Sequence, residues 1–289
     1  MYNAYMSPIL VTGALGNVGR EVTVQLLAAG AQVRVADLDP QRLRQTFPDA
    51  QPVQFDFTDP STWSAFDGCE VMFLVRPPAL GNIARDMQPA LSAAQAAGVE
   101  HIVALSLLGA EHNKVVPHAK IEAWLQQSGL AWTMVRPSFF MENLSTTHAS
   151  DIRERNCLLV PAGKGRTSFV AARDVAAVAS AALLDPERYR NTAWTPTGPQ
   201  ALTYEEVTGI LTDVLGRQIR YGRPGVLRYL RHATSTLGMP LPMALVTTAI
   251  YTVARLGKAG GLTDDVRAVT GRAPLAFAQW AQEHRAVWE

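Results

Sequence analysis

Cysteine is nearly absent from this chain. Its two copies, Cys69 and Cys157, lie far apart with no CxxC spacing and no histidine cluster nearby. Neither a disulfide framework nor a zinc site is therefore expected, and each reads as a small buried hydrophobe. Histidines at HExxH spacing are also missing, so no metal is expected. Charge of one sign is not in excess: 26 Lys and Arg face 25 Asp and Glu, which offers no footprint for nucleic acid. No basic segment followed by an apolar stretch opens the chain, so residues 1–7 read as a short leader, poorly ordered, before the first strand. Long hydrophobic runs are lacking too. The longest, 237–254, is broken early by Pro240 and Pro242, and the rest falls short of the roughly 20 residues that span a bilayer. It reads as a cap helix with a broad apolar face. Together these absences describe a cytoplasmic protein without a membrane or nucleic-acid partner.

What is present is ordinary globular composition, 48% hydrophobic and 18% charged over 289 residues, enough for one large core or a core plus a small cap. The first half alternates strand and helix. Buried-strand runs fall at 9–12, 32–36, 53–57, 71–75, 101–105 and 132–136, with helical stretches at 18–29, 60–66, 83–97 and 118–127. Such alternation means βαβ crossovers and a parallel sheet covered on both faces. Later, Asp174 caps a helix running to Leu184, and residues 193–195 supply one further strand. Thr203-Tyr204-Glu205-Glu206 reads as a capping box whose helix closes at Gly216. Beyond it the chain reads as mostly helical. The expected architecture is α/β, a Rossmann-type doubly wound parallel sheet with a small, mostly helical C-terminal cap. Residues 1–198 are assigned to the sheet domain and 199–289 to the cap, with 146–169 a second candidate for the cap, and the pocket is expected between them.

The densest signal is Val11-Thr12-Gly13-Ala14-Leu15-Gly16-Asn17-Val18-Gly19. One glycine serves a sharp turn, another lets backbone approach a pyrophosphate, and a third allows helix-to-strand packing. The following helix aims its free N–H groups and positive dipole end at phosphates. A strand before the loop, a helix after it, and a second strand ending in Asp37 supply the context that makes it a dinucleotide site. A carboxylate at Asp37 accepts hydrogen bonds from the adenosine ribose and repels a 2′-phosphate, which favours NAD(H) over NADP(H). Arg20, Arg34 and Arg42 are near in sequence, and any one of them reaching that phosphate would reverse the preference. Asp56, with Phe57 beside it, reads either as an adenine contact or as a turn-initiating Asp.

The ordered set VTGALGNVG, DFTDPSTWSAFDGCEVMFLV, HIVALSLLGAE, HAKIEAWLQQSGLAWTMVRPSFFMENL, FVAARDVAAVASAALLDP and GRAPLAFAQWAQEHRAVW resembles the NmrA-like, atypical short-chain dehydrogenase/reductase family over nearly the whole chain. The resemblance implies an NAD(P)H-dependent reductase of the quinone, dye or isoflavone type, or a redox-sensing regulator with no turnover. By position it implies cofactor contacts at Thr12, Gly13, Leu15, Gly16, Asn17, Val18, Asp37, Asp56 and Phe57. It adds Leu74, Val75, Arg76, Ser106 and Pro137 at the ends of strands four to six. NADPH-preferring relatives often carry Arg one place after Asp37, where this chain has Leu38.

Standard short-chain dehydrogenases use Tyr and Lys four apart to exchange a proton with the substrate oxygen. No YxxxK occurs here, and the only lysines are Lys114, Lys120, Lys164 and Lys258. The corresponding stretch is His118-Ala119-Lys120-Ile121-Glu122. His118 is thus the candidate acid, either donating the proton that follows hydride transfer or merely capping its helix. Phe139, Phe140, Met141 and Asn143 follow the sixth strand and read either as contacts for an apolar, planar substrate or as core. The arginines at 217, 220, 223, 228 and 231 read either as a solvated cap surface or as a basic stretch that steers an anionic substrate or partner, and Gly163-Lys164-Gly165-Arg166 reads as a loop. The expected activity is hydride transfer from NAD(P)H to a small, largely apolar acceptor such as a quinone, enone or imine-like compound, by a monomer or homodimer.

Overall fold

In the computed structural model, which describes residues 7–289, the chain forms two compact units. Apart from Ser7, the expected leader lies outside the described residues. In chain order the strands are β1 (Ile9–Thr12), β2 (Val33–Asp37), β3 (Gln51–Gln54), β4 (Val71–Leu74), β5 (His101–Leu105), β6 (Ala131–Val135), β7 (Phe139–Phe140), β8 (Cys157–Leu158), β9 (Arg166–Val170), β10 (Thr192–Trp194), β11 (Ala201–Thr203) and β12 (Arg220–Tyr221). The α-helices are α1 (Asn17–Ala28), α2 (Pro40–Thr46), α3 (Ile83–Asp86), α4 (Gln88–Ala96), α5 (Pro117–Gln127), α6 (Ala149–Arg155), α7 (Ala172–Leu184), α8 (Pro186–Tyr189), α9 (Tyr204–Leu215), α10 (Val226–Ser235), α11 (Leu241–Arg255), α12 (Asp265–Thr270) and α13 (Phe277–Glu283).

The first unit comprises the chain up to Pro137, Ala172–Pro196 and Asp265–Gly271; the second comprises Ser138–Ala171, Thr197–Asp264 and Arg272–Glu289. The sequence reading draws one boundary near 198, whereas the two units interleave. The reason lies in pairing: β9 joins β7 and β11 in one sheet, so 138–171 belongs with the stretch that begins at Thr197. Meanwhile α7 returns to pack on α1, and α12 packs on α7.

In the first unit seven strands run in the order β10-β6-β5-β4-β1-β2-β3, every neighbouring pair parallel. The interior strand β1 is buried along its whole length, as a strand covered on both faces must be. Strand order reverses between β1 and β4, the switch point at whose carboxyl edge such sheets bind ligands. Local boundaries shift where side chains compete. The third strand stops at Gln54 rather than 57, because Phe55 and Phe57 fold inward and pack edge to face with centroids 4.7 Å apart. The helix expected over 83–97 breaks at Met87, since Pro89 cannot donate to residue 85. The helix read from Asp174 begins at Ala172.

The second unit is mostly helical, as expected, and adds two small sheets to its helices. Three strands, β11-β9-β7, form one sheet, and β12-β8 forms another. The capping box at Thr203 and Glu206 is present, and Gly216 closes α9 with φ +65°. Its core is aromatic, with Phe169, Tyr204, Tyr229, Tyr251, Trp280 and Trp288 fully buried. Both cysteines are free, Cys69 buried and Cys157 half-buried.

Candidate functional site

The glycine loop between β1 and α1 divides its labour by position. Gly13 turns the chain at φ +62°, where a Cβ would also meet Val75 at 3.1 Å. Gly19 faces the main chain: a Cβ there would lie 2.2 Å from the Gly13 carbonyl oxygen, so nothing larger than hydrogen fits. Gly16 is the exposed N-cap of α1, with only the Gly13 oxygen (3.2 Å) close to where its Cβ would stand. The first turn of α1 has neither a side-chain cap bond nor an acidic residue. Its positive end is therefore left for an anion.

Asp37 closes this loop from the side. One carboxylate oxygen accepts from the Leu15 N–H at 3.3 Å and the other from the Leu38 N–H at 2.8 Å. Leu38 is exposed. Of the three nearby arginines, Arg34 is engaged elsewhere, with Nη1 donating to the carbonyls of Ala65 (2.9 Å) and Asp67 (2.6 Å). Arg20 stacks over Phe47, 6.0 Å from the ring centroid. Asp56 Oδ1 accepts from the Thr58 N–H and Oγ1, so its turn-initiating role is met. Phe57 lines a cleft of about 450 Å³ together with Thr58, Pro60, Trp63, Arg85, Asp86 and Pro89.

Several expected cofactor contacts offer no side chain. Thr12 is fully buried; its hydroxyl donates to the Phe73 carbonyl (2.9 Å) and accepts from the Val75 N–H (3.0 Å), tying β1 to the end of β4. Leu74 and Val18 are likewise buried, so these three shape the loop from within. Pro137 is buried and its carbonyl accepts from Leu108 N–H. Arg76 is held in the loop after β4, Nη1 donating to the carbonyls of Pro77, Pro78 and Leu80.

His118 stands on the first turn of α5, half-buried, with Nδ1 buried and unpartnered. Burial first, and then the Arg76 charge, lower its pKa from 6.5 to about 4. At pH 7 the ring is therefore neutral, which weighs against the reading of His118 as the acid that donates the proton. One turn on, where YxxxK would place lysine, Glu122 is almost fully buried. Arg136, at the end of β6, meets it with both nitrogens, Nε at 3.0 Å and Nη2 at 2.7 Å, and the Ser106 hydroxyl donates to it at 2.5 Å. The Glu122–Arg136 pair escapes a reading of local sequence because its members lie fourteen residues apart; the only hint was the HxxxE spacing.

The four candidate acceptor contacts sit in the second unit. Phe139 and Phe140 form β7, and Phe139 is half-buried against Phe169 and Tyr251 at 5.7 and 5.6 Å between centroids. Asn143 is half-buried. Met141 is 1% exposed and belongs to the core, which answers that alternative in favour of packing.

The family model described as NAD(P)H-binding matches residues 13–186. An NAD(P)H azoreductase of Xenophilus azovorans is 36% identical, aligned over 97% of this chain and 99% of its own. In structure, an NADPH-dependent quinone oxidoreductase of Escherichia coli is similar at a TM-score of 0.85 and 23% identity, covering 95% of this chain and 99% of that one. Citrobacter sp. triphenylmethane reductase complexed with NADP(H) gives 0.84 at 22% identity, with coverage of 96% and 99%.

Proposed function

This chain belongs to the NAD(P)H-binding family, as an NmrA-like atypical short-chain dehydrogenase/reductase, and from that premise we propose that it transfers hydride from NADH to a small, largely apolar acceptor: a quinone, an enone, or a compound with an imine-like C=N or N=N bond. The observation that carries the reading is the glycine cradle at the start of α1, with Asp37 held against it. Backbone without side chains, at a helix end free of carboxylates, fits a pyrophosphate. Gly13, Leu15, Gly16, Asn17 and Gly19 would form that cradle, Asp37 would meet the ribose hydroxyls, and Asp56 with Phe57 the adenine. Leu38 offers no cation to a 2′-phosphate, and Arg34 is spent on its own carbonyls, which supports NADH over NADPH. Val75, Arg76, Ser106 and Pro137 would border the nicotinamide end.

When bound, the nicotinamide supplies the hydride. Hydride addition leaves negative charge on the acceptor heteroatom, which must be matched by one proton. A neutral His118 does not carry that spare proton, so it acts through its buried ring as a hydrogen-bonding group that orients the acceptor, and water delivers the proton. Glu122, neutralised by Arg136, fixes the floor of this site through Ser106. Phe139, Phe140 and Asn143 supply acceptor contacts. The relatives' names, azoreductase, quinone oxidoreductase and triphenylmethane reductase, share electron-poor conjugated acceptors, in keeping with this class.

The test is a spectrophotometric screen of NADH and NADPH oxidation against quinones, enones, imines and azo dyes. Turnover with at least one acceptor is expected, faster with NADH, and level between pH 6 and 8. His118→Ala should lower kcat/KM by about tenfold, the worth of one hydrogen bond, rather than the roughly 10²–10⁴ of a lost general acid. Silence with every acceptor, together with equal affinity for oxidised and reduced cofactor, would return the redox-sensor reading.

A further inference from the structure

The second unit carries a helix that is apolar on both sides. Along α11, Ala244, Thr248, Tyr251 and Ala254 are buried at the spacing of one helix face. The opposite face repeats the pattern outward: Met243, Val246, Ile250 and Val253 are exposed, flanked by Leu241 and Leu245, and Leu256 follows just past the helix at 66% exposure. No charged residue occurs on α11 before Arg255. Scattered exposed leucines need no explanation, but an outward stripe on one helix does. Helix α10, which packs along α11, adds Leu227 at 83% exposure and Val226.

The stretch of chain that carries this stripe has charge of one sign. Between Asp213 and Asp264 there is no Asp or Glu, while Arg217, Arg220, Arg223, Arg228, Arg231, Arg255 and Lys258 fall within that stretch. Arg223 pairs with Glu205, and Arg217 is tied to main-chain carbonyls. Arg228, Arg231 and Lys258 are exposed and make no ion pair among the described residues, whereas Arg255 turns inward along the buried face of α11 toward Gly163. An apolar stripe bordered by unanswered cations fits an occupant that is apolar inside and anionic at its rim. A second copy of the chain fits poorly, because a two-fold contact would bring the same cations together with no carboxylate from this stretch to answer them. At 15 residues α11 is too short to cross a bilayer, and no helix among the described residues is long and apolar enough to do so. Such a helix lies in the plane of the interface.

We infer that α10 and α11 dock this protein peripherally on an anionic lipid surface, the α11 stripe entering the acyl boundary and Arg228, Arg231 and Lys258 meeting the headgroups. This stands apart from the reductase reading, because its test measures binding and not turnover. The full chain is sedimented with phosphatidylcholine vesicles, with and without phosphatidylglycerol. Expected is pelleting with the anionic vesicles at low salt, several-fold less with neutral ones, and loss at high salt. Val246→Glu with Ile250→Glu, both on exposed positions, should abolish pelleting while circular dichroism stays unchanged. Arg228→Gln with Arg231→Gln should weaken it about thirtyfold, the equivalent of about 1 kcal/mol per lost cation. No pelleting with anionic vesicles, or unchanged pelleting of either variant, would overturn the proposal. So would a concentration-dependent dimer in analytical ultracentrifugation that Ile250→Glu dissociates, since a second copy would then be the occupant.

Discussion

Thr12 in the first unit and Tyr229 in the second are both fully buried hydroxyl residues, and their surroundings treat them differently. Thr12 both gives and receives a hydrogen bond, stitching β1 to the end of β4 beneath the glycine loop. Tyr229 lies in an aromatic core, 5.5 Å from the Tyr251 ring, and its hydroxyl has no partner. The contrast extends further. In the first unit Glu122 takes two nitrogens of Arg136 and the Ser106 hydroxyl, whereas in the second His148 bonds Tyr251 on one ring nitrogen and leaves the other empty. The difference is one of degree, since the first unit also leaves Nδ1 of His101 and of His118 unpartnered and the second holds the bonded pair His232–Asp151; each unmet bond marks a place where its core is easier to loosen.

The largest way to break this comparison is at the glycines. Gly19→Val should prevent folding of the first unit, read as loss of soluble, cooperatively melting protein, because its Cβ has no room beside the Gly13 oxygen. Gly16→Val should cost the melt far less, its Cβ being crowded only by the Gly13 oxygen at 3.2 Å, and should abolish dinucleotide binding by calorimetry, since its side chain would fill the place proposed for the pyrophosphate. A folded Gly19→Val or a cofactor-competent Gly16→Val would undo the division of labour.

Next in size is Glu122→Gln, which leaves the largely buried Arg136 with only the longer Glu111 contact at 3.5 Å and should cost up to about 3 kcal/mol in denaturant unfolding. A loss below about 1 kcal/mol would mean that solvent reaches the pair.

Acid sharpens the comparison across both units. Burial lowers His101 and His118 in the first unit, and His148 in the second, to about 4. The unfolded chain binds protons nearer 6.5, so between these values it holds more of them. Stability is therefore full above pH 6.5 and falls as pH drops toward 4, by up to about 1.4 kcal/mol per unit for each histidine. A melting temperature independent of pH across that window would contradict the buried, neutral state.

The smallest effects compare the two hydroxyls directly. Thr12→Val should cost about 1–2 kcal/mol, because it strands the Phe73 carbonyl and the Val75 N–H. Tyr229→Phe should be neutral or slightly stabilising, since it removes a group that bonds nothing. Equal losses for the two would erase the distinction.

The sheet and its cradle were legible because their signals are local. β1, the glycine spacing, Asp37 and the capping box at Thr203 each depend on residues within a few positions of one another. The strands β7, β8 and β12, at two residues each, are too short to show a period, and β9 hid behind a glycine turn that reads as loop. The Glu122–Arg136 pair and the depressed pKa of His118 arise from burial and from partners brought together by the fold, which no spacing in the chain encodes.

The interleaving of the two units has a consequence for how this protein is made. The chain passes between them five times, at 137/138, 171/172, 196/197, 264/265 and 271/272. During synthesis the outer edge of β6 stays open until Trp194 has left the ribosome, because its neighbour β10 is encoded some sixty residues later. The helix α12, which packs on α7, emerges later still, past residue 265. An exposed parallel edge on a half-made sheet is a site for wrong pairing, so the interval before β10 emerges is the one in which this nascent chain is most open to misfolding.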